Sequence, residues 1–463
     1  MADKPASVER TGIEHISTEE RHGSPGRVFT LWFAANLTVA DYVIGVLCVQ
    51  AFGLTVAQSI PVLLLGNLLG GALLGLSAAM GPRLGFPQML SSRSSFGRRG
   101  NYIFGGLNWI STVGWFTVNT ILGVEALGAV YPGANFYASA AGLVALQVVV
   151  AVYGHDFIHL FEKVMSLVLG ALFIGVFVLT IPKLGDAFSF MPTGGSSGLP
   201  GLGAVGVVLA ASFSYLMSWS PYASDYTRYL PSGVSGKRVA LFALAGGAAA
   251  SFAIEVIGAL VGSLTPGAGF FIDLYSFAGS FGPFAIVAII LGAMAANALN
   301  IYTNALSALV LDIKARRWLM VVVGGLVGLA LSILGRTNFV LNYQDFLFLL
   351  DYWITPWLGI VLVDYFVSRR TTVESSASPT LWDRRALAAY VAAVLVSVPF
   401  MVPLNPLNGQ PLGTPFGALA SIFGGADFSY FISFAVAAAL TYILRQGKSG
   451  SLPRVSGPEQ TNR

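Results

Sequence analysis

The sequence predicts an all-α integral membrane protein of about twelve transmembrane helices, with both termini on the cytoplasmic side. Three observations predict it. Hydrophobic residues make up 55% of the 463-residue chain and charged residues 10%, against roughly 25% charged in soluble domains. The apolar stretches are mostly as long as the roughly 20 residues that cross a ~30 Å hydrocarbon core. Of 25 Lys and Arg residues, all but Lys183 and Arg336 fall in the N-terminus, in every second gap or at its edge (Lys163), or in the C-terminal tail. Positive residues stay on the cytoplasmic side, so this alternation sets the orientation as well as the span count. A net charge of +4 would hint at nucleic acid in a soluble protein. Here the cations mark a membrane face, and nucleic acid is not an expected partner.

Residues 1–27 are polar and carry Glu9, Glu14, Glu19 and Glu20 beside their bases. They lack the apolar core of a signal peptide, so they read as a cytoplasmic tail. This tail and the C-terminal tail 446–463 are expected to be mobile, and 28–445 forms one polytopic domain. The spans are 28–49, 58–80, 103–130, 137–152, 163–182, 202–224, 239–264, 283–311, 318–335, 346–367, 386–403 and 428–444. The first has a polar interruption, Asn36-Leu37-Thr38-Val39-Ala40-Asp41, without Gly or Pro. The third carries Trp115 and Asn119, four apart and therefore on one helical face. The sixth ends Ser218-Trp219-Ser220-Pro221-Tyr222. Pro221 has no N–H and disrupts the helical ladder, which makes this either a simple kink or a broken helix lining a cavity. Asp225 and Arg228, just beyond, read as a structural ion pair. The seventh span holds Glu255 near its middle, and the eighth places Asn297, Asn300 and Asn304 in one polar stripe. Between spans, Gly194 to Gly198 form a flexible connection, and Pro406, Gly409 and Pro411 mark a turn-rich loop.

No Walker lysine loop, paired-aspartate motif or His/Cys metal spacing is present. Cys48 is the only cysteine, so no intramolecular disulfide forms. His155 and His159 can share a helical face but read as ordinary interfacial histidines, and neither a metal nor a cofactor is expected. An enzyme would need a catalytic constellation, and a channel would need rings of like residues. Polar groups that differ from span to span fit secondary transport better, since intramembrane polar residues mark substrate and ion pathways. Amides suit a neutral, planar, hydrogen-bonding ligand, because each offers an acceptor and two donors in one plane. Asp41, Glu255 and, nearer an outer helix end, Glu125 are the carboxylates that can carry a proton.

Several of these segments together resemble the nucleobase–cation symporter-1 family, and most closely its purine–cytosine permease branch. The resemblance covers roughly residues 10–445. It rests on Trp32 and Asn36, Ser92 to Gly97, Gly114-Trp115, Trp219 through Tyr226, the asparagine stripe, and Pro356 with Gly359 to Phe366. It implies two inverted five-helix repeats plus two extra helices, working as a monomer in the cell membrane. It also implies a site in which Trp115 and Trp219 stack on a base while Asn119, Asn297 and, less directly, Asn300 read its edge. The substrate would be cytosine or a purine, or else allantoin, a hydantoin, uracil or thiamine. Sodium-coupled relatives place adjacent hydroxyl residues just before the eighth-helix amides. Here Leu291 to Ala296 contain no Ser or Thr, and a hard cation needs oxygen ligands. The expected coupling ion is therefore H+ rather than Na+, carried by Glu255 or Asp41.

Overall fold

Lipid offers no hydrogen bonds to the backbone, so apolar spans satisfy their amides internally and fold as helices. A computed structural model describes residues 8–192, 201–267, 270–337, 339–403 and 412–446. Gly194 to Gly198, Pro406, Gly409, Pro411 and 447–463 of the C-terminal tail lie outside the described residues. The longer helices are α1 (Pro25–Asn36), α2 (Val39–Gln50), α3 (Val56–Ala78), α4 (Asn101–Val130), α5 (Phe136–Tyr153), α6 (His155–Thr180) and α7 (Gly201–Met217). After a turn come α8 (Ala223–Thr227), α9 (Gly236–Leu264), α10 (Gly282–Val310), α11 (Arg317–Gly335), α12 (Phe339–Leu362), α13 (Arg384–Ser397) and α14 (Ser429–Gln446). Among the described residues, nine helices are long and apolar enough to cross a membrane, and ten if the bent pair α1–α2 counts as one span. The last two predicted spans are α13, of 14 residues, and α14, of 18; both pack on α12. The protein is a multi-pass, all-α membrane protein.

Helix packing reveals a symmetry that the sequence hides. Numbering spans with α1–α2 as the first and α7–α8 as the sixth, the first packs on the seventh (α9) as the sixth packs on the second (α3). The first packs on the fifth (α6) as the sixth packs on the tenth (α12). Spans three and eight (α4 and α10), two and seven, and four and nine (α5 and α11) pair with each other. Exchanging spans one to five for six to ten leaves these pairings unchanged, as expected of two five-helix repeats.

Both repeats begin with a broken helix. α1 and α2 meet at 55°. Thr38 is the cause: its side chain accepts the Asp41 N–H at 3.4 Å and restarts the helix as an N-cap. α7 stops at Met217, and Ser220–Tyr222 form a single 3-10 turn around Pro221 before α8. Ser218 Oγ donates to the Tyr215 carbonyl at 2.7 Å, taking up an acceptor near the break.

Close crossings hold the breaks in place. A Cβ on Gly45 of α2 would lie 1.9 Å from the Glu255 carbonyl oxygen, and one on Gly258 of α9 would lie 2.2 Å from that of Tyr42. Gly45→Ala must push α2 and α9 apart, an overpacking that ordinarily costs about 1–3 kcal/mol. The expected result is a lower melting temperature in detergent, while Gly106→Ala, with nothing within 4 Å of its Cβ, leaves it unchanged.

The N-terminal tail is not mobile where it is described. Ile16 is buried, its N–H donates to the Gly85 carbonyl at 3.0 Å, and that of His22 donates to Tyr229 O at 2.6 Å. The tail is a strap across the cation-rich face.

Candidate substrate-binding site

α4 and α10 lie alongside each other, and their contact carries the amides. Asn297 is the hub. Its Nδ2 donates to the Phe116 carbonyl (2.9 Å), Thr120 Oγ1 (3.2 Å) and Gln147 Oε1 (3.2 Å). Its Oδ1 accepts from Nδ2 of both Asn119 and Asn300, each at 3.3 Å. Asn304 instead donates to the Trp109 carbonyl and Thr112. The stripe thus divides into two members that join Asn119 and a third that binds the helices together.

The indoles are tied to the same cluster through the helix breaks. Trp219 Nε1 donates to Asn36 Oδ1 at 2.9 Å, and its ring meets Trp32 and Tyr222 edge-on at 5.4 and 5.2 Å. The Tyr222 hydroxyl donates to Asn300 Oδ1 at 3.1 Å. Trp115 meets Tyr215 edge-on at 5.1 Å, and the Tyr215 hydroxyl shares a 2.6 Å hydrogen bond with Thr38. Trp115, Asn119, Trp219, Asn297 and Asn300 therefore fall in one buried region bounded by both breaks. Trp115 and Trp219 are each 4% exposed, so the region is closed. On one side Phe346 of α12 lies 5.2 Å from the Trp115 ring, an approach that Gly114 permits, since a Cβ there would come within 2.3 Å of Phe346.

Two buried polar atoms beside Asn297 have no partner: the acceptor Asn119 Oδ1 and the donor Gln147 Nε2. Gln147 was missed from sequence, although a lone glutamine in the apolar fourth span was the available signal. Thr120, Tyr215 and Tyr222 were missed because serine, threonine and tyrosine are common in helices and carry no such signal.

Asp41 and Glu255, both fully buried, come together from α2 and α9. Asp41 faces Glu255 and Ser251, without a partner at hydrogen-bond distance. Glu255 Oε2 accepts from Asn67 Nδ2 of α3, while Oε1 is unpartnered. Among the described residues no cation is ion-paired to either acid. Glu125 is exposed and stands apart. Glu162 and Asp351 are further fully buried acids that the sequence reading passed over.

The expected Asp225–Arg228 ion pair does not form. Asp225 accepts from the Gln88 N–H (2.9 Å) and Thr303 Oγ1 (2.8 Å). Arg228 turns to the strap, 3.9 Å from Glu9, and donates to the Gly12 carbonyl. Glu9 accepts from Tyr229 (2.5 Å), Tyr302 (3.0 Å) and the His155 N–H (2.8 Å), and lies 3.8 Å from Arg317. Nearby, burial acts to raise Asp312, but hydrogen bonds from Arg98 and Tyr102 and the Arg93 charge outweigh it and hold its pKa at about 2. Losing one partner of a buried ion pair costs about 3–5 kcal/mol, and these long N···O separations put Glu9 at the low end. Glu9→Ala is expected to speed tryptic cleavage at Arg10 and Arg21 and to lower the melting temperature. Unchanged digestion would show that the strap is held by its backbone alone.

Residues 15–432 match the family described as permease for cytosine/purines, uracil, thiamine, allantoin. A putative purine-cytosine permease of Bacillus subtilis is 31% identical, covering 94% of this chain and 96% of its own length. A purine-cytosine permease of Saccharomyces cerevisiae is 27% identical over 95% of this chain and 86% of its own. Among solved structures, Mhp1, a nucleobase-cation-symport-1 family transporter, in a closed conformation with bromovinylhydantoin bound, aligns with a TM-score of 0.74 at 21% identity, covering 96% and 95% of the two chains. Its inward-facing conformation gives 0.70. With a family match across most of its length and an all-helical fold of this kind, the chain belongs to the permeases for cytosine/purines, uracil, thiamine and allantoin and is a nucleobase-type membrane transporter.

Proposed function

We propose that this permease imports cytosine or a purine together with H+ by alternating access. The observation that carries the substrate reading is the pair of unpartnered polar atoms flanking Asn297, the acceptor Asn119 Oδ1 and the donor Gln147 Nε2. A nucleobase edge presents a donor beside an acceptor, and the hydrogen-bonding partners of Asn297 described above are all neutral. Trp115 and Trp219 supply the faces on which a ring stacks. The names of the full-length relatives support the same class.

The proton reading rests on what meets the first-span break. A Cβ on Gly292 would lie 2.3 Å from the Leu37 carbonyl oxygen, so α10 offers this carbonyl a glycine and no hydroxyl. Two carboxylates lie one turn away instead. Both charged, with no paired cation, they would cost several kcal/mol per ion, and that cost is the reason this pair is proposed as the proton carrier.

The test is uptake of radiolabelled cytosine, adenine, guanine, uracil and allantoin into proteoliposomes, with mutual competition. Cytosine or a purine is expected to compete best, driven by an inward proton gradient and indifferent to choline in place of sodium. Trp115→Ala and Trp219→Ala are expected to weaken uptake about tenfold or more, since stacking on a base is worth roughly 1–3 kcal/mol. Normal uptake in both variants would return these indoles to packing. A steep sodium dependence without a proton response would overturn the coupling.

A further inference from the structure

The histidines of the cation-rich face, read singly as interfacial, acquire a third partner once the strap folds. His22 of the tail lies beside His155 and Asp156 in the first turn of α6, and one ligand atom from each lies within 4.8 Å of the others. His22 Nδ1 is 2.8 Å from the Glu20 carbonyl oxygen. The 2.7 Å contact of Nε2 with Asp156 Oδ1 is a hydrogen bond whose proton an incoming metal displaces, while Nδ1, as an N–H donor to that carbonyl, fixes the ring. This is the outer-shell arrangement that orients metal-binding imidazoles. His155 is 4% exposed, stacks on Tyr229 at 3.9 Å, and has a buried Nδ1 without a partner. His159, with its ring 4.4 Å from that of His155, also has an unpartnered buried Nδ1. Both sides are held by backbone: the His22 N–H donates to Tyr229 O, and the His155 N–H donates to Glu9.

We infer that His22, His155 and Asp156 form a site for a divalent transition metal such as zinc. Two imidazoles and one carboxylate are a donor set for Zn2+ or its neighbours Co2+ and Ni2+, with water completing the tetrahedron. Ligands at about 2.0–2.1 Å from a tetrahedral metal sit roughly 3.3 Å apart. The His22–Asp156 contact must therefore open slightly and the longest separation close by about the reach of a rotamer change. Arg228 and Arg317, the buried cations nearby, are both faced by Glu9; Arg27 is a further opposing charge. Metal bonds to two imidazoles outweigh both that charge and the positive end of α6. A bound ion would staple the tail to α6 at a second point, beside the His155 N–H that Glu9 accepts.

Co2+ titrated into the purified full-length protein, followed by its visible d–d absorption, tests this. Saturable one-to-one bands of tetrahedral intensity, abolished by Zn2+, are expected. His22→Ala, on the partly exposed tail, should weaken binding by about tenfold or more, and Zn2+ should raise the melting temperature of the wild type but not of this variant. Asp156→Asn should weaken it too, and Zn2+ should slow tryptic cleavage at Arg21 in the wild type only. An absence of saturable binding in the wild type would overturn the site, as would undiminished binding in His22→Ala.

Discussion

Replacing Asn297 by alanine is expected to abolish saturable uptake while the protein still reaches the membrane. One side chain there serves five partners on three helices: the Phe116 carbonyl, Thr120 and Asn119 on α4, Gln147 on α5 and Asn300 on its own helix. Removing it leaves several buried donors and acceptors unmade, each costing about 1–3 kcal/mol. It also releases Asn119 and Gln147, whose free atoms are proposed to meet the base. Sites built around polar pairing discriminate strongly against ligands that leave them unpaired. Asn297→Ser and Asn297→Gln should therefore reorder preference among bases rather than only lower uptake. Competition assays on all three variants decide it. An unmoved ranking would make the stripe interhelical glue, as Asn304 already is.

Glu255→Gln has the second large effect expected. With one proton per substrate, each pH unit of inward gradient supports about tenfold accumulation. The amide keeps the bulk and the hydrogen bond to Asn67 but carries no exchangeable charge. Accumulation should collapse toward equality across the vesicle membrane while counterflow of labelled base persists. Asp41→Asn should act in the same direction, because the two acids face one another. If Glu255→Gln still accumulates substrate and Asp351→Asn does not, the proton travels through Asp351 between α7 and α12, and the present assignment fails.

Much of this was legible in the chain. Trp115, Asn119 and Asn297 stood out because indoles and amides are costly in apolar spans, and helical spacing put the first two on one face. The break at Pro221 had a covalent cause that sequence displays. The break after Asn36 had none, yet Thr38 with Asp41 three residues on is a helix-start signal that stood in plain view inside an apolar run. The opposite error came from Asp225 and Arg228. Helical spacing made them neighbours, but Gln88 with Thr303 and the strap gave each a better partner. Nothing local could have placed Glu9 or His22, because their partners lie on helices far along the chain. The twofold pattern was equally invisible: packing preserves it where side-chain identity does not.

The strap also has a consequence for how the protein is made. The amino-terminal residues leave the ribosome first, but the backbone carbonyl of Glu9 bonds to Arg317, 308 residues later. At about 5–20 residues per second, that separation takes roughly 15–60 s to synthesise. Throughout that interval the tail stands outside the membrane without its full set of partners, while the helices it will bridge enter one after another. The segment born first is therefore among the last to reach its place, and a bulky domain fused ahead of it would weigh on the end of assembly rather than the beginning.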